Sequence, residues 1–312
     1  MARIALRRLL ETVPLLLAVS VVIFALQEAA PVDPAWRALA VGGAADAIDE
    51  RDVARKRLEL GLDRPVVERY ARWVVDAARL DLGESFVSKK PVAELIRERL
   101  AASLALAGAA LAIGAGLAIP LGVLAAVRHR TWVDAGVRIV TLLGTSVPTF
   151  WLGFVAIWLF AVELGWLPSL GSMTPAGIVL PAAVLGVHAT GLLARLTRAA
   201  MIEALHQDYV RTARAKGLRG RAIVLRHAFP NAAIPLLTAL GLELAGLIGH
   251  AAVTEVVFAW PGLGRLGVEA AVAGDVPVVI GFTLTVAAFV IAINLVVDLA
   301  YLVVDPRQRA LT

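Results

Sequence analysis

The chain contains no cysteine. That excludes a disulfide framework, a cysteine-ligated zinc site and a thiol nucleophile. The GxxxxGK[ST] pattern that cradles nucleotide phosphates is also missing, so the chain does not hydrolyse ATP by that route. No carboxylate pair, histidine cluster or Ser/His/Asp pattern suggests a catalytic or metal site. Charge is scarce too, at 18% of 312 residues, and some long stretches have none.

What remains is apolar. Hydrophobic residues make up 59% of the chain and the mean hydropathy is +0.79, where a soluble domain sits nearer half apolar. Residues 101–127 (AASLALAGAALAIGAGLAIPLGVLAAV) carry no charge, and about 20 apolar residues suffice for a helix to cross a bilayer. The expected fold is all-α and polytopic. Six transmembrane helices are placed near 12–30, 101–127, 138–162, 177–199, 232–254 and 277–303. The opening MARIALRRLL with its apolar run has a rival reading as a secretory signal peptide. The run outlasts the usual h-region and no small-residue cleavage site follows, which favours a span.

The net charge of +5 is not by itself a nucleic-acid signal. In a membrane protein, Arg and Lys report which short loops stay in the cytoplasm. With the N-terminus inside, the inner segments carry Arg3, Arg7 and Arg8, then Arg128, Arg130 and Arg138, then Arg195 through Arg226, and finally Arg307 and Arg309. The two short outer loops carry only Arg265. Both termini are then cytoplasmic. Residues 31–100 form a long outer segment of balanced charge, in which AADAIDERDVARKRLELGL and RPVVERYARWVVDAARL show helical spacing. The expected division is an N-terminal tail and first helix (1–30), a helical extracytoplasmic loop (31–100), a five-helix core (101–303) with a cytoplasmic loop at 200–230, and a tail (304–312).

That loop contains DYVRTARAKGLRGRAIVLRHAFPN (208–231). Met201, Leu205, Tyr209 and Ala213 fall at i, i+4 spacing, which predicts one apolar stripe on a helix continuing from the fourth span. Arg211, Arg214 and Lys216 lie mostly off the stripe, towards a helix C-terminus where positive charge suits the dipole. Gly217 fits the left-handed position that ends a helix. A second short helix is expected after Gly220, stopping at Pro230. Two helices joined at a glycine turn make a knob that fits a cleft on another protein. The competing reading is a topogenic positive patch, which needs only charge, in any order.

RTARAKG (211–217), followed after nine residues by HAFP (227–230), resembles the "EAA" loop of ABC importer permeases. The form DYVRTARAKGL is similar to the dipeptide/oligopeptide/nickel branch, with Arg211 where the wider superfamily has Glu. In order along the chain, VDPA (32–35), LGLDRP (60–65), DLGESF (81–86), PTFWLG (148–153), ARLTR (194–198), VFAWPGLGRL (257–266) and NLVVDLAYLVVDPR (294–307) resemble branch signatures. Val32 replaces the branch's Gly. The resemblance implies a type I importer permease of the bacterial inner membrane. It implies a second homologous permease, two ATPase subunits that bind ATP and Mg, and an extracytoplasmic solute-binding protein, with no cofactor in this chain. Tyr209, Arg211, Ala213, Arg214, Lys216, Gly217 and Leu218 would couple to the ATPases. Relatives of this kind carry dipeptides, oligopeptides, glutathione or nickel complexes.

Ionisable groups within spans are costly and mark functional candidates. Glu243 and His250 lie in the fifth span and His188 in the fourth. Trp260, Pro261 and Gly262 open WPGLGRL, either a tight segment tucked towards the pathway or an ordinary loop. Asn294, Asp298, Tyr301 and Asp305 share a face of the last span, as interhelical glue. An ion-coupled secondary transporter is the alternative, with Glu243 and Asp298 carrying protons. It expects internal repeats, and none is evident.

Overall fold

The computed structural model describes residues 2–29, 33–40 and 48–304, with side chains for 12–29, 33–40, 48–297 and 299. Val32 and Asp305 and the side chains of Asp298 and Tyr301 therefore lie outside the described residues. The fold is helical throughout, and the one β feature among the described residues is an isolated bridge between Glu84 and Pro91.

The helices are α1 (Ala2–Glu28), α2 (Pro34–Ala40), α3 (Glu50–Glu59), α4 (Val66–Ala78), α5 (Val92–Val127), α6 (Trp132–Ser146), α7 (Thr149–Ala156), α8 (Val179–Leu205), α9 (Asp208–Ala215), α10 (Gly220–Ala222), α11 (Phe229–Val257), α12 (Leu263–Ala273) and α13 (Val276–Val304). Four stretches are long and apolar enough to cross a membrane: Val92–Val127, Val179–Leu205, Gly220–Val257 and Val276–Val297. The pair α6 and α7 makes a fifth if counted as one bent span, and Thr12–Glu28 is a shorter apolar helix. Among the described residues each of the six expected segments overlaps helix, and four of them meet the length and hydropathy of a span unaided.

The chain divides into two compact units. One comprises Leu104–Trp260 and Ala292–Thr312, the other Ala2–Ser103 and Pro261–Ile291. In the first unit α8 is central and packs against α6, α7 and α11. Its approach to α5 is close: a Cβ at Gly122 would lie 2.5 Å from Thr197 Cβ and 2.7 Å from the Ala194 carbonyl oxygen. In the second unit, Val92 and Ile96 share a core with Leu263, Leu266, Ala270 and Val278. There α1 and α4 meet through a Phe24–Tyr70 ring contact at 5.4 Å, a Ser20–Tyr70 hydroxyl bond of 2.8 Å and an Arg69–Glu28 ion pair of 2.9 Å.

Three expectations are corrected. The third span is not one rod, because α6 and α7 meet at 97°. Pro148 forces the preceding residue out of the helical region, and Val147 is extended at φ −79°, ψ 127°. The fourth helix does not continue into the loop: it ends at Leu205, and α9 restarts after an extended Gln207. The expected i, i+4 stripe is therefore split between two helices. Pro230 does not stop the following helix either, since helix runs from Gly220 to Val257. A π-helical turn at Ile223–Ala228 ends two residues before Pro230 and widens the backbone where the ring removes a ladder bond.

Candidate functional site

The exposed turn at α9 is the candidate site. Asp208 lies in its first turn and Arg214 in its last, both matched to the helix dipole. Its end is a Schellman motif: Gly217 N–H donates to the Arg214 carbonyl at 2.9 Å and Leu218 N–H to the Ala213 carbonyl at 3.3 Å. Gly217 has φ +75°, and a Cβ there would meet nothing within 4 Å. The glycine is thus required by backbone conformation and not by crowding.

The buried face of α9 is Val210 and Ala213, packed against Ile223. Ala213 is accordingly spent inside the chain, not on a partner. Tyr209, Arg211, Arg214, Lys216, Gly217 and Leu218 are exposed together. Burial of part of its ring pushes the Tyr209 hydroxyl above the ordinary tyrosine range, while its hydrogen bond with Asn231 pulls the other way. Asn231 also donates to the His227 carbonyl at 2.7 Å, so Tyr209 ties α9 to the base of α11. The Arg211–Asp208 pair, 3.4 Å apart and largely exposed, contributes little. Beside the turn a recess of about 680 Å³ is lined by Val127, Leu205, Arg214, Arg221, Ile223 and Leu225.

Sequence reasoning missed a buried ionic cluster in the same unit. Asp134 is 1% exposed. Arg198 grips it bidentately, with Nε 2.7 Å from Oδ1 and Nη2 2.8 Å from Oδ2. The Arg130 N–H donates to Oδ2 at 3.1 Å from a left-handed backbone at φ 63°. Arg198 Nη2 also lies 3.1 Å from His129 Nδ1, which accepts from the guanidinium. The cluster ties the α5–α6 turn to α8, seven residues before α8 ends. A lone acid amid basic residues 128–138 was the available signal.

The span candidates separate. His188 lies on α8 and Glu243 and His250 on α11, two helices that pack against each other. Nδ1 of His188 is buried with no hydrogen-bond partner among the described residues. Trp260 is fully buried, and a Cβ at Gly171 would lie 3.0 Å from its ring. Trp260, Pro261 and Gly262 are non-helical and lead directly into α12, which begins at Leu263. Asn294 is exposed.

Residues 118–310 match the binding-protein-dependent transport system inner membrane component family, and residues 1–107 match its N-terminal companion. A putative peptide transport system permease protein of Brucella abortus is 42% identical over 317 residues, covering 99% of each chain. The glutathione transport system permease protein GsiC of Escherichia coli O6:H1 is 38% identical over 309 residues, again 99% of each. The fold is similar to an inward-facing structure of the MetNI methionine ABC transporter, with TM-score 0.59 at 23% identity, over 68% of this chain and 96% of that one. These likenesses do not favour an ion-coupled secondary transporter. The chain belongs to the binding-protein-dependent transport system inner membrane components, as a multi-pass permease subunit of an ABC importer.

Proposed function

We propose that this permease carries peptides or closely related small solutes across the bacterial inner membrane, and that α9 with its glycine turn is where separate ATPase subunits engage it. A second permease completes the pathway, two ATPases bind ATP and Mg, and an extracytoplasmic solute-binding protein delivers the solute. The carrying observation is the Schellman turn at Gly217, which presents Tyr209, Arg211, Arg214, Lys216 and Leu218 on one exposed knob. A topogenic patch requires no such geometry. The relatives' names, peptide and glutathione permeases, support the solute class. Glu243 and His188 are the pathway candidates. A buried imidazole nitrogen lacking a partner is costly, and a passing solute or water supplies one. Trp260, Pro261 and Gly262 serve the pathway indirectly, by fixing the start of α12.

The test uses the reconstituted complex. Gly217→Val places a β-branched residue in the left-handed region, at a local cost of about 1–2 kcal/mol. It should insert normally yet lose most solute-stimulated ATP hydrolysis and ATPase co-purification. Gly217→Asn, which tolerates that region, should keep both. Equal behaviour of the two variants would refute α9 as the coupling element.

A further inference from the structure

The segment between α4 and α5 is a built hairpin rather than slack chain. Leu82 packs at its base against the core of Val92, Ile96 and Leu263. Glu84 and Pro91 form the bridge, Val92 N–H donates to the Gly83 carbonyl at 2.9 Å, and Ser85 N–H to the Lys90 carbonyl at 2.9 Å. Asp275, the single residue between α13 and the terminal Gly274 of α12, is 2% exposed. Its carboxylate accepts from Ser85 Oγ at 2.5 Å, Phe86 N–H at 3.0 Å and Val87 N–H at 3.3 Å. Ser85 Oγ in turn accepts from Ser88 N–H at 2.9 Å. A buried carboxylate is thereby satisfied entirely by donors of the hairpin named here, and it stands at the joint of two helices.

The tip that this clasp holds out is exposed. Val87 is 51% accessible, and Ser88, Lys89 and Lys90 are open to solvent. Lys89 keeps φ +58°, a backbone region that side-chain-bearing residues seldom adopt. Linking two helices needs neither a clasp nor a strained lysine. Strain persists where surrounding structure over-determines it, and such places cluster at binding sites. A rigid tip pairing one apolar side chain with two cations suits an acidic protein surface, because a preorganised loop loses less ordering entropy on binding. A lipid phosphate would need only the charges.

We propose that Val87, Lys89 and Lys90 form a docking point for an acidic patch on the solute-binding protein, and that Asp275 ties this point to the α12–α13 joint. The inference rests on the reading that residues 31–100 face outward and that such a protein delivers the solute.

The experiment titrates the purified solute-binding protein of this system, loaded with dialanine, against the reconstituted complex and follows ATP hydrolysis. Lys89→Glu with Lys90→Glu should raise the half-saturating concentration about tenfold, and added salt should weaken the wild type but not the variant. Ser85→Ala, which removes one bond to Asp275 and the acceptor of the Ser88 N–H while leaving Val87, Lys89 and Lys90 in place, should raise it about threefold through lost preorganisation. Unchanged half-saturation in the lysine variant overturns the docking point. So does a lysine variant whose only loss is a dependence on anionic lipid. A wild-type complex that no solute-binding protein stimulates would instead overturn the reading on which the inference rests.

Discussion

Asp134 shows how much one residue can hold. Four groups surround its carboxylate: the Arg198 fork, the Arg130 N–H and, at 3.6 Å, Arg138 Nε reach it, and the α6 N-terminus adds its dipole. Breaking a buried pair leaves an uncompensated charge and costs about 3–5 kcal/mol. Asp134→Ala should therefore lower the thermal midpoint of the detergent-purified chain steeply. Replacing both partners with apolar residues of similar volume, Asp134→Leu with Arg198→Met, should cost far less. Equal losses in the single and double variants would mean that the cluster is not acting as a pair.

Among the elements, α8 depends on how closely α5 can approach it. Gly116 and Gly122 lie six residues apart on α5, yet their surroundings differ. A Cβ at Gly116 meets nothing within 4 Å, whereas one at Gly122 runs into Thr197 and the Ala194 carbonyl. Small residues let membrane helices pack backbone to backbone. Gly122→Leu should cost about 1–3 kcal/mol through overpacking, while Gly116→Ala should be neutral or gain up to about 1 kcal/mol from helix propensity. Detergent thermal melts of the two variants decide it, and a tolerated Gly122→Leu would refute the close approach.

For the whole molecule, the charge asymmetry of the short loops predicts that α9 is cytoplasmic and residues 31–100 lie outside. The absence of cysteine makes this directly measurable, since a single introduced thiol has no background. Val67 on α4 is 78% exposed and Ala215 at the end of α9 is also exposed. Val67→Cys should react with a membrane-impermeant maleimide in intact cells, and Ala215→Cys only after permeabilisation. The opposite pattern would invert the topology and remove α9 from the reach of cytoplasmic ATPases.

The amino-acid sequence by itself determined the helical class, the six apolar segments and the left-handed glycine that ends α9. Each of these is a local property: an uncharged run long enough for a bilayer, or a backbone angle that only a residue without Cβ adopts freely. The bend at Val147–Pro148 was also legible, because proline acts on its immediate neighbour, yet the uncharged run masked it. Tertiary structure alone decided which side of α9 is buried, because Ile223, ten residues beyond Ala213, covers it. It alone joined Arg198 to Asp134 across 64 residues and Ser85 to Asp275 across 190. A polar side chain buried in such a pair needs a partner that chain folding brings from far away, so the pairing leaves no periodic trace in the sequence.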